Sequence, residues 1–223
     1  MDITYIITGA SKGIGKYLFE QLCNVYGFYN TTKTDKICMY KVDIGNTDEI
    51  HDFIEINKSS LKNIVLINCA GINYNSMSHK ANIIDWKKVI DVNLCGTFNV
   101  INAFLPLMRE QKYGRIINMS SVVGKMGVMG TSAYAASKAG LTGMIKSIAC
   151  ENAMFGITIN NLNLGYFNCG MIEQVPLDIQ EKIKQTIPCK QFGNPENIYN
   201  AVEFLIKSDY VNGAGIDING GLI

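Results

Sequence analysis

The sequence predicts a doubly wound α/β domain, a parallel sheet of about seven strands with helices on both faces. Three observations carry the prediction. Short runs apolar on both faces alternate with longer segments of helical period. A glycine-rich turn, TGASKGIG at residues 8–15, separates the first such run from the first helical segment. Composition is that of an ordinary globular chain, 48% apolar and 17% charged over 223 residues, enough for one sizeable core.

The elements follow in order. The first strand is placed at 3–7 (ITYII), with an amphipathic helix at 13–23 behind the glycine turn. Strands at 24–29 (NVYGFY) and 36–42 (KICMYKV) come next, then a helix at 47–57. The strand at 63–68 (NIVLIN) precedes a long helix at 83–110. After the strand at 114–120 (GRIINMS) comes a second long helix at 133–154, and then the strand at 156–163 (GITINNLN). Helices at 171–186 and 195–207 lead to a last strand at 215–219 (GIDIN). One interval breaks the rhythm: about seven residues, NTTKTDK, separate strands two and three. A parallel crossover normally needs a dozen or more, so the helix there is expected to be missing or reduced to a turn. No linker or repeat divides the chain, which reads as a single domain over 1–223.

A net charge of +1 leaves no cationic excess for nucleic acid or an anionic membrane. The seven cysteines form no C-x-x-C, and His51 and His79 have no ligands at metal spacing, so buried reduced thiols and no metal are expected. The first strand begins at residue 3, leaving no room for a cleavable signal, and no apolar run reaches bilayer length. The expected location is the cytoplasm.

Gly9, Gly13 and Gly15 permit positive φ and close backbone approach, while the following helix presents free N–H groups and its positive dipole end to a pyrophosphate. Gly9, Ser11, Lys12, Gly13, Ile14 and Gly15 are therefore candidate dinucleotide contacts. NAD usually calls for an acid at the end of strand two, yet GFYNTTK has none before Asp35. Lys12, Thr31, Thr32 and Lys33 suit a 2′-phosphate instead, which favours NADP over NAD. Asp43, followed by Ile44 at the end of strand three, could accept from an adenine amino group or cap the helix near Thr47. Asn68, Ala70 and Gly71 of NCAG lie at the carboxyl edge of strand four, where open α/β sheets bind ligands. Tyr134 and Lys138, in TSAYAASKAG, share a helix face. Tyr29 and Lys33 repeat the spacing in a loop, so the spacing alone decides nothing.

The motifs together do. TGASKGIG, NCAG, DVNLCGTF, GRIINMSS, YAASK and a closing INGG resemble the short-chain dehydrogenase/reductase family in order and spacing, from about residue 3 to 223. Within it, the chain is most similar to 3-oxoacyl-(acyl-carrier-protein) reductases. The resemblance implies a Rossmann domain and catalytic roles for Asn93, Ser121, Tyr134 and Lys138; Ser121 lies 13 residues before Tyr134, the family's separation. Lys138 would lower the phenol's pKa and orient the nicotinamide ribose, Ser121 would bond the substrate oxygen, and Asn93 would hold a water linking Lys138 to solvent. Tyr134 and Lys138 thus touch the cofactor as well, and backbone groups near Gly165 and Phe167 would hold its carboxamide. A homotetramer or homodimer through the two long helices is also implied.

Three departures stand out. Leu164 replaces the family's proline after strand six, and Cys169 replaces a threonine. Cys150 and Phe155 occupy positions where carrier-docking arginines are expected, leaving Lys112 as one positive charge nearby. Residues 166–192, with Met171, Ile172, Val175, Leu177, Ile179 and Ile183, are expected to form a lid over a partly apolar substrate. The function implied is NADPH-dependent reduction of a 3-oxoacyl thioester, with an acyl carrier protein as possible partner. The alternatives are a reductase or dehydrogenase of another small ketone, sugar or polyol, and a silent dinucleotide sensor. A nucleotide-sugar epimerase is disfavoured, since only about 30 residues follow Gly193.

Overall fold

A computed structural model describes residues 2–32, 34 and 36–223; Lys33 and Asp35 lie outside the described residues. Its strands are β1 (Thr4–Thr8), β2 (Val25–Tyr29), β3 (Met39–Lys41), β4 (Ile64–Asn68), β5 (Gly114–Ser121), β6 (Ile157–Leu164) and β7 (Gly215–Ile218). All pair in parallel in the order β3-β2-β1-β4-β5-β6-β7. Every residue of β4, β5 and β6 is buried, the physical reason these strands read as apolar or small-polar runs, with Arg115, bonded to the Gly114, Gly156 and Ile206 carbonyls, as the exception. The order reverses between β1 and β4, the crevice where such sheets bind ligands.

Helices α1 (Gly13–Gln21) and α7 (Pro195–Lys207) cover one face, packing Leu18, Ile198, Val202 and Leu205 on Ile7, Val65 and Ile117. Helices α2 (Thr47–Asn57), α4 (Thr97–Gln111) and α5 (Ser132–Asn152) cover the other, around Ile6, Phe28, Leu66 and Ile116. Alternate residues of each strand feed the two cores, as a two-residue period requires.

Between β2 and β3 no described residue is helical, as the short interval predicts. β3 is three residues rather than seven, because it is an edge strand with β2 as its one partner. The long helix expected at 83–110 is α3 (Ile83–Ile90), a π-type turn at Asp91–Gly96, and α4. Pro176 splits the helix expected at 171–186: a short turn at Gly170–Gln174 precedes it, Val175 is extended, and α6 (Leu177–Thr186) follows.

Two expectations are corrected. Within the helical stretch Ile83–Gln111 an 18-residue window reaches a mean hydropathy of 1.2, long and apolar enough to cross a membrane by length and composition; here Val100, Ile101, Phe104 and Met108 are turned into the core. The cysteines are free but not buried: Cys23, Cys38, Cys95, Cys150 and Cys189 are exposed, Cys69 and Cys169 half-buried. Cys23, Cys95 and Cys150 fall at or near helix ends and the other four in connecting segments, where apolar character alone does not guarantee burial.

Candidate active site

The glycine turn is shaped by contact with β4. Gly9 and Gly13 have φ of +66° and +56°. A Cβ on Gly9 would lie 2.8 Å from the Ala70 backbone, and one on Gly15 would meet the Gly9 carbonyl oxygen. The Thr8 hydroxyl accepts from the Cys69 and Ala70 amides, both at 3.1 Å, locking NCAG to the turn. Lys12 precedes α1 with no side-chain cap, so the first-turn amides keep their donors for an anion. Ser11 and Ile14 are half-buried and Lys12 is exposed beside this cradle. The residues therefore fit a diphosphate.

Further along the edge, Thr31 and Thr32 are exposed past β2. Of the two readings for Asp43, the helix cap goes to another residue: Asn46 accepts from Asp48 N at 3.1 Å, while Asp43 accepts from Gly45 N at 2.9 Å. Asp43 stays half-buried at the end of β3. The Ile44 side chain enters the core, and its carbonyl accepts from Asn99 Nδ2 at 3.1 Å.

Tyr134 and Lys138 lie one turn apart at the start of α5, and the tertiary structure places both against the end of β5. Lys138 is buried, donates from Nζ to the Met119 carbonyl at 2.7 Å, and stands 5.5 Å from the Tyr134 ring centroid. The Ser120 hydroxyl donates to the Lys138 carbonyl at 3.3 Å. Ser121, the last residue of β5, accepts from Val123 N at 3.2 Å and faces the phenol. Gly124 allows this junction, for a Cβ there would lie 3.0 Å from the α5 backbone. The Tyr29/Lys33 repeat cannot be compared, as Lys33 lies outside the described residues.

Asn93 is fully buried in the π-type turn. It accepts from Ile72 N at 2.8 Å and donates to Ile72 O at 2.9 Å and to Ser137 Oγ at 3.2 Å. A Cβ on Gly71 would lie 3.3 Å from Asn93 Oδ1 and 3.9 Å from Lys138 Nζ, so the two groups converge beside Gly71. Asn68 is in the layer beneath, donating to Asn118, which donates to Asn161.

Burial dominates the electrostatics. It pushes the Tyr134 phenol up to about 12, against a lowering influence of Ser121. It lowers the Lys138 ammonium to about 8. In the structure the influence that opposes burial at the phenol comes from Ser121, with Lys138 standing 5.5 Å from the ring centroid.

After β6, Gly165 N donates to Ile218 O at 2.9 Å, and a Cβ there would lie 2.8 Å from Asn219 Cα. Phe167 is buried, and this stretch is tied to Gly193 by Gly193 N to Tyr166 O at 2.9 Å and Asn168 N to Gly193 O at 3.0 Å. A Cβ on Gly13 would lie 3.0 Å from Gly170 Cα, so the turn at Gly170–Gln174 rests on the glycine turn. The Cys169 thiol beside it is raised to about 11 by burial and by Glu173.

Sequence reasoning missed a cation at the far end of α5. Arg109 of α4 lays its guanidinium 3.9 Å over the Phe155 ring and donates to Asn152 at 3.2 Å. No local signal joins Arg109 to Phe155; helix packing brings them together. Likewise the Met119 carbonyl, the anchor of Lys138, has no side-chain signature.

The profile of a family described as short chain dehydrogenase matches residues 20–180. The chain is 34% identical to a 3-oxoacyl-(acyl-carrier-protein) reductase of Staphylococcus epidermidis, over 100% of this chain and 99% of the relative. It is 35% identical to an enzyme of that name from Aquifex aeolicus (98% and 87% covered) and 36% identical to one from Thermotoga maritima (98% and 96%). A solved Agrobacterium tumefaciens structure, provisionally named a gluconate dehydrogenase, superposes with a TM-score of 0.89 at 25% identity, covering 98% of this chain and 95% of that one.

Proposed function

The chain belongs to the short-chain dehydrogenase/reductase family, oxidoreductases of carbonyl and alcohol groups, and on that premise we propose that it reduces a 3-oxoacyl thioester with NADPH. The convergence of Ser121, Tyr134 and Lys138 at the carboxyl end of β5 carries this reading. A dinucleotide held at Gly9, Gly13 and Gly15 would supply the hydride for the substrate carbon. Tyr134, protonated at neutral pH, gives its phenolic proton to the developing alkoxide. Ser121 donates a hydrogen bond to the same oxygen. Lys138 keeps a cation behind the phenol, stabilising the phenolate left by proton transfer. Asn93 holds Ile72 and the floor beside Gly71, the side from which a water reaches Lys138.

Support for NADPH comes from Lys12, Thr31 and Thr32, which offer a cation and two hydroxyls at the cleft edge. Gly9, Gly13 and Gly15 would seat the diphosphate, Asp43 the adenine, and the backbone at Gly165 and Phe167 the carboxamide. Residues 166–192 serve as the substrate lid. An acyl carrier protein is the proposed donor of the thioester, with Arg109 and Lys112 as cations for an acidic carrier, and a homotetramer or homodimer the proposed assembly. The cytoplasm is the proposed compartment, consistent with seven unpaired cysteines. Cys150 at an expected basic position favours a second reading, reduction of a free small ketone, sugar or polyol.

A paired assay of NADPH and NADH oxidation with acetoacetyl thioesters and simple ketones tests this. Faster turnover of the thioester with NADPH is the expected result; turnover of free ketones alone overturns it.

A further inference from the structure

The short turn at Gly170–Gln174 meets the glycine turn backbone to backbone. Gly170 and Gly13 both have positive φ, +76° and +56°. A Cβ on Gly13 would lie 3.0 Å from Gly170 Cα, and one on Gly170 would lie 3.4 Å from Gly13 Cα. With no side chain between the two, whatever caps the Gly170 amide stands at the rim of the anion cradle. That cap is a carboxylate: Gly170 N donates to Glu173 Oε2 at 3.0 Å. Burial, and after it the Glu173 charge, raises the Cys169 thiol beside the same amide.

The carboxylate is uncompensated. Glu173 is exposed, and none of the four ion pairs among the described residues includes it. Its own turn, GMIEQ, holds no basic residue. The steps from Gly13 to Gly170, to its amide and on to the carboxylate place this charge about 8 Å from the cradle, inside the screening length of roughly 10 Å in 0.1 M salt. A diphosphate at the α1 amides would therefore feel it.

We propose that Glu173 sets the affinity for the dinucleotide by opposing its diphosphate, the carboxylate holding the Gly170 amide while its charge repels the anion at the glycine turn. The inference rests on the dinucleotide reading above. The repulsion acts on the reduced and the oxidised dinucleotide alike, because both carry the same diphosphate. Its consequence is weaker holding and faster release of the spent form.

The test measures Kd for NADPH and NADP⁺ by calorimetry in the full chain, in Glu173→Gln and in Glu173→Ala, at low and high salt, about 0.02 M and about 1 M. Glutamine keeps an oxygen for the Gly170 amide and loses the charge. Alanine loses both, and keeps the test open should glutamine reshape the turn. At low salt both variants should bind about threefold to tenfold tighter, the scale of charges interacting over about 8 Å near a surface. At high salt that gain should shrink below about twofold, a loss that a purely structural cap would not show. Unchanged or weaker binding in both variants at low salt overturns the inference, as does a gain that persists undiminished at high salt. NADPH binding with that outcome leaves the cofactor reading standing. If the unsubstituted protein binds neither dinucleotide, both fall.

Discussion

The Lys138 ammonium stands 5.5 Å from the Tyr134 ring centroid and is anchored on the Met119 carbonyl at 2.7 Å. That carbonyl belongs to β5, two residues before Ser121, so one strand end supports both the lysine's ammonium and the Ser121 hydroxyl that faces the phenol. Packing α5 against β5 thereby converts a common sequence spacing into a site.

Tyr134→Phe removes the transferable proton while keeping the ring. The expected result is a fall in kcat of about 10²–10⁴, the scale of general acid catalysis, with dinucleotide affinity changed by less than about threefold. Single-turnover kinetics beside a fluorescence titration of the dinucleotide check both halves.

Lys138 makes stability depend on pH. Its folded pKa, about 8, is below the ordinary 10.5, so between these values the unfolded chain binds more protons and stability rises with pH. Below about 8 both states are protonated and the burial cost is felt in full. Tyr134 acts oppositely: its folded value, about 12, exceeds the ordinary 10, so stability falls above pH 10. Urea midpoints should therefore climb from about pH 7.5 to just below 9 and then turn down, because burial also holds the Cys69 and Cys169 thiols up at about 12 and 11, so that both act as Tyr134 does from pH 9 upward. Lys138→Met should flatten the rise; a parallel climb in that variant would show that another group is responsible.

Asn93→Ala is expected to destabilise the chain by about 2–4 kcal/mol, because Ile72 N and O both lose their partner. Denaturant unfolding measures it. Activity should fall as well, since the Gly71 floor next to Lys138 moves with Ile72.

Thr31→Asp places a carboxylate where a 2′-phosphate is proposed to lie. Like-charge repulsion should lower kcat/KM for NADPH at least about tenfold, while a ribose hydroxyl gains an acceptor and the NADH value rises. Equal changes for the two dinucleotides would place the 2′-position elsewhere.

Periodicity and punctuation were sufficient for the strand order's ingredients, because each buried run had to be apolar on both faces and each crossover needed its own length. Residues 195–207 and 47–57 read directly as helices, their amphipathic stripes following from the core they cover. Local order alone could not anticipate the π-type turn at Asp91–Gly96 or the three-residue β3, which depend on neighbours supplied by other segments. The same division runs through the site. The chain itself determined which residue types were available at Ser121, Tyr134 and Lys138. Only the folded packing decided that burial raises the phenol, that Lys138 anchors on Met119, and that Arg109 reaches Phe155, because desolvation and contact between distant segments exist only once the sheet and helices have closed around them.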